Sequence, residues 1–141
     1  MTGKQGKGVQ VSEQVDQRLR QAEIIWLTTV RGNGQPQPVP VWFLWDGQTF
    51  LIYSQPDQAK LRNIRDNPRV ALNLNSDPQG GTVTRLEGNA EIDKDAPLAT
   101  VVQPFVAKYA AAIQRIGMDP ETFAREYSVA IRVTPTRVSA F

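Results

Sequence analysis

Four cationic side chains, Lys60, Arg62, Arg65 and Arg69, fall within the ten positions 60–69, against Asp57 and Asp66. Two hydroxyls, Tyr53 and Ser54, stand just upstream. Lysine and arginine hold phosphate by charge and donor geometry. A serine hydroxyl and the free N–H groups at a helix start can complete such a cradle. The same residues also read as the solvated face of a short helix preceded by a turn serine, and both readings stay open at this point. Arg62, two positions from Lys60, need not share its helical face. Asn73 and Arg85 are further polar residues on strand-like segments that could reach a site there.

What is missing narrows the chemistry further. With neither cysteine nor histidine, the chain forms no disulfide, thiolate metal site, Ser-His or Cys-His nucleophile pair, common zinc site or histidine-ligated haem. No metal is expected. Tyr53, Tyr109 and Tyr127 are the side chains that could donate a proton, and sequence does not choose among them.

The 141 residues suit one domain, and a hydrophobic fraction of 40% suits a packed core. The expected organisation is a flexible N-terminus over 1–11 and a single domain over 12–141. A net charge of +2 is too small for an obligate nucleic-acid binder, even with a pI near 9.2. No apolar run approaches a membrane span, and Met1 to Gln10 has charge but no apolar core. The expectation is a cytoplasmic protein acting on a small molecule, without membrane or nucleic-acid partners.

The elements that must position these residues are short. Ser12 and Glu13 open a helix through about Ala22, with Val15 and Leu19 on one face. Ile24 to Val30 reads as a strand, and Arg31-Gly32-Asn33-Gly34 turns it back. Pro36, Pro38 and Pro40 then alternate at period two, so the second strand is expected to lack pairing along one side before Val41. Trp42 and Trp45, at odd spacing, face opposite ways. Asp46-Gly47 turns into the strand Thr49 to Tyr53. A helix starts at Pro56-Asp57 and ends before Pro68. Val70 to Leu74 and Thr82 to Ile92 are strands, the second with a bulge or close approach at Gly88. Leu98 to Ile116 is largely helical, and Pro120 opens another short helix. Val129 to Val133 is a strand that Thr134-Pro135-Thr136 is expected to break. Such a mainly β chain with short helices suits a six- or seven-stranded antiparallel barrel, since closure removes edges.

The order Thr28 to Trp42, then Tyr53-Ser54, Lys60 and Asn67-Pro68-Arg69-Val70, resembles the split β-barrel (FMN-binding split barrel) proteins of the pyridoxamine phosphate oxidase class. The branch using the deazaflavin coenzyme F-420 is the most similar. The ending Thr134 to Val138 with a terminal aromatic, Phe141, resembles that branch too. The resemblance implies a homodimer with coenzyme F-420, or else FMN, at the interface. It implies phosphate contacts from Ser54 and Lys60, with Tyr53 and Arg62 beside them. It also implies a ring along the backbone of Gln37, Pro38, Val39, Pro40, Val41 and Trp42, whose donors bond ring atoms, and roles for Thr28 and Arg31 near the substrate mouth. The tail of F-420 would need cations, for which Lys4, Lys7 and Arg31 are available. A true pyridoxamine phosphate oxidase reads its substrate with an Arg-x-His pattern, which a histidine-free chain cannot supply. The expected activity is hydride transfer between reduced coenzyme F-420, or FMN, and a small conjugated substrate. A non-enzymatic flavin carrier or sensor on the same fold is the alternative. A third reading, a barrel stacking single-stranded nucleic acid on its aromatics, fits less well, because the basic residues cluster on a helix apart from them.

Overall fold

The computed structural model describes residues 9–141. The expected flexible N-terminus lies largely outside the described residues, as do Lys4 and Lys7. Val9 donates its N–H to Pro135 O at 3.3 Å, and Val11 packs against the core.

Seven antiparallel strands form one sheet in the order β2-β1-β5-β6-β7-β4-β3. These are β1 (Ile25–Val30), β2 (Pro36–Val41), β3 (Leu44–Trp45), β4 (Phe50–Ser54), β5 (Arg69–Asn73), β6 (Thr84–Ile92) and β7 (Val129–Ala140). The two edge strands, β2 and β3, are consecutive in the chain, with only Trp42 and Phe43 between them. The sheet therefore curls until its edges meet without pairing, which is a split barrel. Helices α1 (Glu13–Gln21), α2 (Ala59–Asp66), α3 (Gln103–Arg115) and α4 (Pro120–Glu126) complete the chain, with a 3-10 turn at Ala99–Val101.

Local chemistry explains most of these elements. Ser12 caps α1 by accepting the Val15 N–H at 3.2 Å, and Val15 and Leu19 are buried in the barrel. Trp45 fills the barrel too, anchored by its indole N–H to Asp16 at 2.9 Å. In β1 alternate residues are buried, as a half-covered strand requires. All five residues of β4 are buried instead. Phe50 and Ile52 face the barrel core, while Leu51 and Tyr53 face a second core built with α3 and α4.

One expectation is corrected. Thr134-Pro135-Thr136 does not break the last strand, and β7 runs through it. Glu87 pairs with Arg137 and Gly88 with Pro135, so Thr136 is an extra residue, a bulge. A proline is tolerated at such a register shift because the ladder is already interrupted. Gly88 gives the room: a Cβ there would meet Thr134 O at 2.7 Å.

Candidate functional site

Where the two edge strands part, the backbone of Phe43 has no strand partner. Side chains from α3 take that place. The Phe43 N–H donates to the Tyr109 hydroxyl at 2.8 Å, and Lys108 Nζ donates to Phe43 O at 2.9 Å. The Tyr109 hydroxyl lies 2.7 Å from Glu23 O and 2.9 Å from Phe43 O, acceptors for its single proton. These contacts fix α3 across the split. Burial holds the Tyr109 hydroxyl far above the usual phenol range. Burial also lowers the Lys108 ammonium to about 8.

Beside the split lies a cavity of about 460 Å³. One end is polar, with Ser54, Gln55, Gln58 and Lys60. The other is apolar and aromatic, with Ile24, Val41, Trp42, Ile116, Phe123 and Tyr127. Trp42 stacks on Tyr109 at 4.7 Å and on Phe123 at 5.4 Å, and Phe123 stacks on Tyr127 at 4.5 Å. Lys60 is half-buried, and desolvation lowers its ammonium from the ordinary value. No carboxylate pairs with it among the described residues. It stands in the first turn of α2, whose N-cap residue Gln58 makes no side-chain capping bond. A half-buried cation beside an uncapped helix start is the environment an anionic group would stabilise.

The structure brings together half of the expected site. Pro40, Val41, Trp42, Tyr53, Ser54 and Lys60 all line this cavity. The Ser54 hydroxyl donates to Gln55 O at 2.8 Å, which leaves its oxygen free to accept. Tyr53 contributes to the wall, but its hydroxyl donates to Pro97 O at 2.7 Å, and burial raises its pKa. Trp42 and Trp45 do face different surroundings, and only Trp42 lines this cavity.

The other expected residues lie elsewhere within one chain. Arg62 is exposed on α2 and does not line the cavity. Arg31 sits at the tip of the β1–β2 hairpin, opposite the end where Val41 pairs with Ile25. Six strand residues separate the two, about 20 Å. Thr28 faces a different depression of about 600 Å³ on the outside of the sheet, with Val30, Pro36, Ala71 and Thr136. Asn73 and Arg85 pair across β5 and β6 and line a depression of about 720 Å³, also away from Lys60.

Strand β2 itself carries a correction. It is an edge strand, unpaired on one side as expected. Pro36, Pro38 and Pro40 carry no N–H, so the ladder to β1 must run through Gln37, Val39 and Val41. Their N–H groups are spent on β1. The free edge therefore offers carbonyl acceptors at the three prolines rather than the expected backbone donors. The Gln37 side chain accepts from Asn63 Nδ2 at 3.0 Å, and Asn63 also donates to Thr29 Oγ1 at 2.9 Å. This buried amide ties α2, and with it Lys60, to the β1–β2 hairpin.

Gln55, Gln58, Ile116, Phe123 and the Asn63 tie were not foreseen as site residues. Sequence held one signal for Asn63, a polar residue beside Leu61 and Ile64 on the apolar stripe of α2.

A family model described as pyridoxamine 5'-phosphate oxidase matches residues 11–141. The chain belongs to the pyridoxamine 5'-phosphate oxidase family. No curated protein sequence matches the chain. Among solved structures, an F-420 reductase is 29% identical with a TM-score of 0.71, covering 92% of this chain and 98% of its own. The general stress protein 26 of Bacillus anthracis str. Sterne is 21% identical with a TM-score of 0.70, covering 92% of each chain. The haem storage protein HutZ of Vibrio cholerae is 14% identical with a TM-score of 0.63, covering 94% of each chain. These last two likenesses are of fold. Solved structures on this fold thus include one named as a reductase and one named for haem storage. Among the described residues, no helix is long and apolar enough to cross a membrane.

Proposed function

We propose that the cavity beside the split binds a phosphate-bearing flavin-type cofactor, coenzyme F-420 in preference to FMN, and that the protein is a homodimeric oxidoreductase acting on a small conjugated substrate. The observation that carries this reading is Lys60, a half-buried cation with no counter-charge among the described residues, next to Ser54 and an uncapped helix start. The cavity is of the size that cofactor and ligand sites commonly have. The preference for F-420 rests on the 29%-identical F-420 reductase.

When bound and reduced, the cofactor supplies a hydride. The chain's own residues bind, orient and dry it. Lys60, the Ser54 hydroxyl and the first N–H groups of α2 would hold the phosphate. The carbonyl of Pro40, turned away from β1, would suit a ring imide N–H. Trp42, Ile116 and Phe123 would keep water from the ring, which hydride transfer needs more than an acid–base side chain. A second copy covering the outer sheet face would bring Thr28 and Arg31 to a site they do not reach within one chain.

Titration of cofactor-free protein with F-420 and FMN tests the cofactor. F-420 is expected to bind at least as tightly, and FMN binding far more tightly overturns the choice. Oxidation of reduced F-420 by a quinone, enone or tetrapyrrole-like acceptor in the presence of the protein tests the activity. Tight binding without turnover of either reduced cofactor moves the conclusion to the carrier. Light scattering of the loaded protein as a monomer rejects the dimer.

A further inference from the structure

Lys108 stands on α3 one position before Tyr109. Pro104, Ala107 and Lys108 share one face of that helix, at i, i+3 and i+4. Together with Leu44 and Trp45 of β3 and Arg20 at the end of α1, this face lines a depression of about 370 Å³. The depression shares no lining residue with the cavity beside the split. Its lining is apolar except for the two cations, Lys108 and Arg20.

The Lys108 amine is held in place without an acid. Nζ donates to Phe43 O at 2.9 Å and lies 3.9 Å from the centroid of the Phe43 ring. Among the described residues no carboxylate pairs with it. Glu23 is the acid that favours its ammonium, and the Glu23 carboxylate is bridged to Arg115 at 3.1 Å. The neighbouring Tyr109 hydroxyl is a neutral phenol bonded to backbone. A carbonyl and a ring face replace only part of the hydration that burial removes, so the ammonium gives up its proton at about 8. Arg20 donates from Nε to Asp16 at 2.8 Å and from Nη1 to Trp45 O at 3.5 Å. Among the described residues its Nη2 has no hydrogen-bond partner, and half of the side chain is exposed.

We infer that Lys108 is a modification site, an amine that takes a short acyl group from an acyl phosphate whose phosphate is held by Arg20. A desolvated lysine beside a second cation is an activated nucleophile, and a guanidinium suits a phosphate by charge and donor geometry. The Nζ lone pair attacks the acyl carbon and forms the N–C bond. The bond from that carbon to the phosphate oxygen breaks, and its electron pair leaves with the phosphate. Nζ releases one proton to water and keeps one hydrogen, so the resulting amide still donates to Phe43 O. Leu44, Pro104 and Ala107 give the acyl chain an apolar seat. The modification removes the charge over the Phe43 ring and leaves the contact that fixes α3 across the split.

Incubation of the purified protein with acetyl phosphate, followed by peptide mass spectrometry, reads the acetylation rate of each lysine. At pH 7.5 about a quarter of an amine with a value near 8 is neutral, against about a thousandth at the ordinary 10.5. Lower basicity takes back part of that advantage, so Lys108 is expected to acetylate about 10-fold faster than the exposed Lys94. Its rate should level off above about pH 8, while that of Lys94 climbs on to about pH 10. Arg20→Gln should slow acetylation of Lys108 by acetyl phosphate about 5- to 10-fold, the worth of one contact to a charged group. It should slow acetylation by p-nitrophenyl acetate, which carries no phosphate, far less. A Lys108 rate in the wild-type protein no higher than that of Lys94 overturns the inference, as does a rate that does not level off. Equal slowing with both reagents in Arg20→Gln overturns the part given to Arg20, since it would mark a loosened α1 rather than a lost phosphate contact.

Discussion

Replacing Lys60 by alanine tests the site at its charged end, and the structure sets both sign and size. The ammonium is half-buried, its pKa is lowered by desolvation, and no carboxylate offsets that cost among the described residues. A phosphate against it would form a charge-assisted hydrogen bond worth about 1.5–3 kcal/mol. At 1.4 kcal/mol per tenfold, the variant should bind FMN or F-420 about 10- to 150-fold more weakly. Riboflavin, which lacks the phosphate, should bind both proteins alike. Lys60→Arg should recover only part of the loss, because a planar fork replaces a point charge at the end of a shorter reach.

The unliganded protein should respond in the opposite direction. A lysine whose pKa is depressed on folding binds fewer protons in the folded state than in the unfolded state. Between the depressed value and 10.5, stability therefore rises with pH, and Lys60→Ala should flatten that rise. Phosphate reverses the sign by favouring the ammonium, so its affinity should fall as pH climbs through the same window. Fluorescence titration with FMN and riboflavin, repeated across pH and salt, measures all of this. Unchanged FMN affinity in Lys60→Ala refutes the reasoning. An equal loss for riboflavin refutes it too, since it would make Lys60 a packing residue rather than a phosphate ligand.

Tyr109→Phe should cost about 1–3 kcal/mol in denaturant unfolding, because it strips the Phe43 N–H of its buried partner. An unchanged midpoint would show that water or a shift of α3 replaces the hydroxyl. Asn63→Leu should cost a similar amount and weaken FMN more than riboflavin, since α2 would lose its tie to Thr29 and Gln37. Asn63→Asp should lose less, because the Thr29 hydroxyl can turn to donate and the Gln37 amide can flip. Wild type is expected to gain stability between about pH 8 and 10.5, by at most a few kcal/mol after solvent screening of the partly exposed ammonium, and Lys108→Met should remove that rise. A neutral Lys108 keeps a proton to donate to Phe43 O, so the rise reports the cost of burying charge. Parallel pH profiles for the two proteins would reject that origin.

The features legible in the sequence are those whose cause is local. Ser12 beside a Val15–Leu19 face, the Arg31–Gly34 turn and the period-two prolines each fix geometry over a few residues, and each stands where it was expected. Ser54 and Lys60 were legible through resemblance, and they meet because only a tight turn separates β4 from α2. Arg62 and Arg31 show the limit of residue type: both are cations near the right segment, yet one points away and the other sits at the far end of a hairpin. Pro135 misled for a related reason. The rule that proline breaks a strand is local, whereas the bulge that admits it depends on Gly88 in another strand. The aromatic wall was illegible because Ile116, Phe123 and Tyr127 reach the cavity only through the packing of α3 and α4 on β4.

That packing also explains why the site lies at the split rather than inside the barrel. The barrel interior is filled by Trp45, Phe43, Phe50 and their neighbours, and no cofactor fits there. An open edge between β2 and β3 leaves backbone groups that must find partners, and Tyr109 and Lys108 supply them at Phe43. The same contacts draw α3 and α4 over the gap and stack Tyr109 and Phe123 on Trp42. The edge is thus protected in two ways, by prolines that have no N–H to donate to an incoming strand and by an aromatic cover over its end. Between cover and edge a ligand-sized space remains, with Lys60 at one end. The device that lets the barrel stay open is therefore the one that builds the cavity, and a variant that loosens Tyr109 should lower stability and ring binding together.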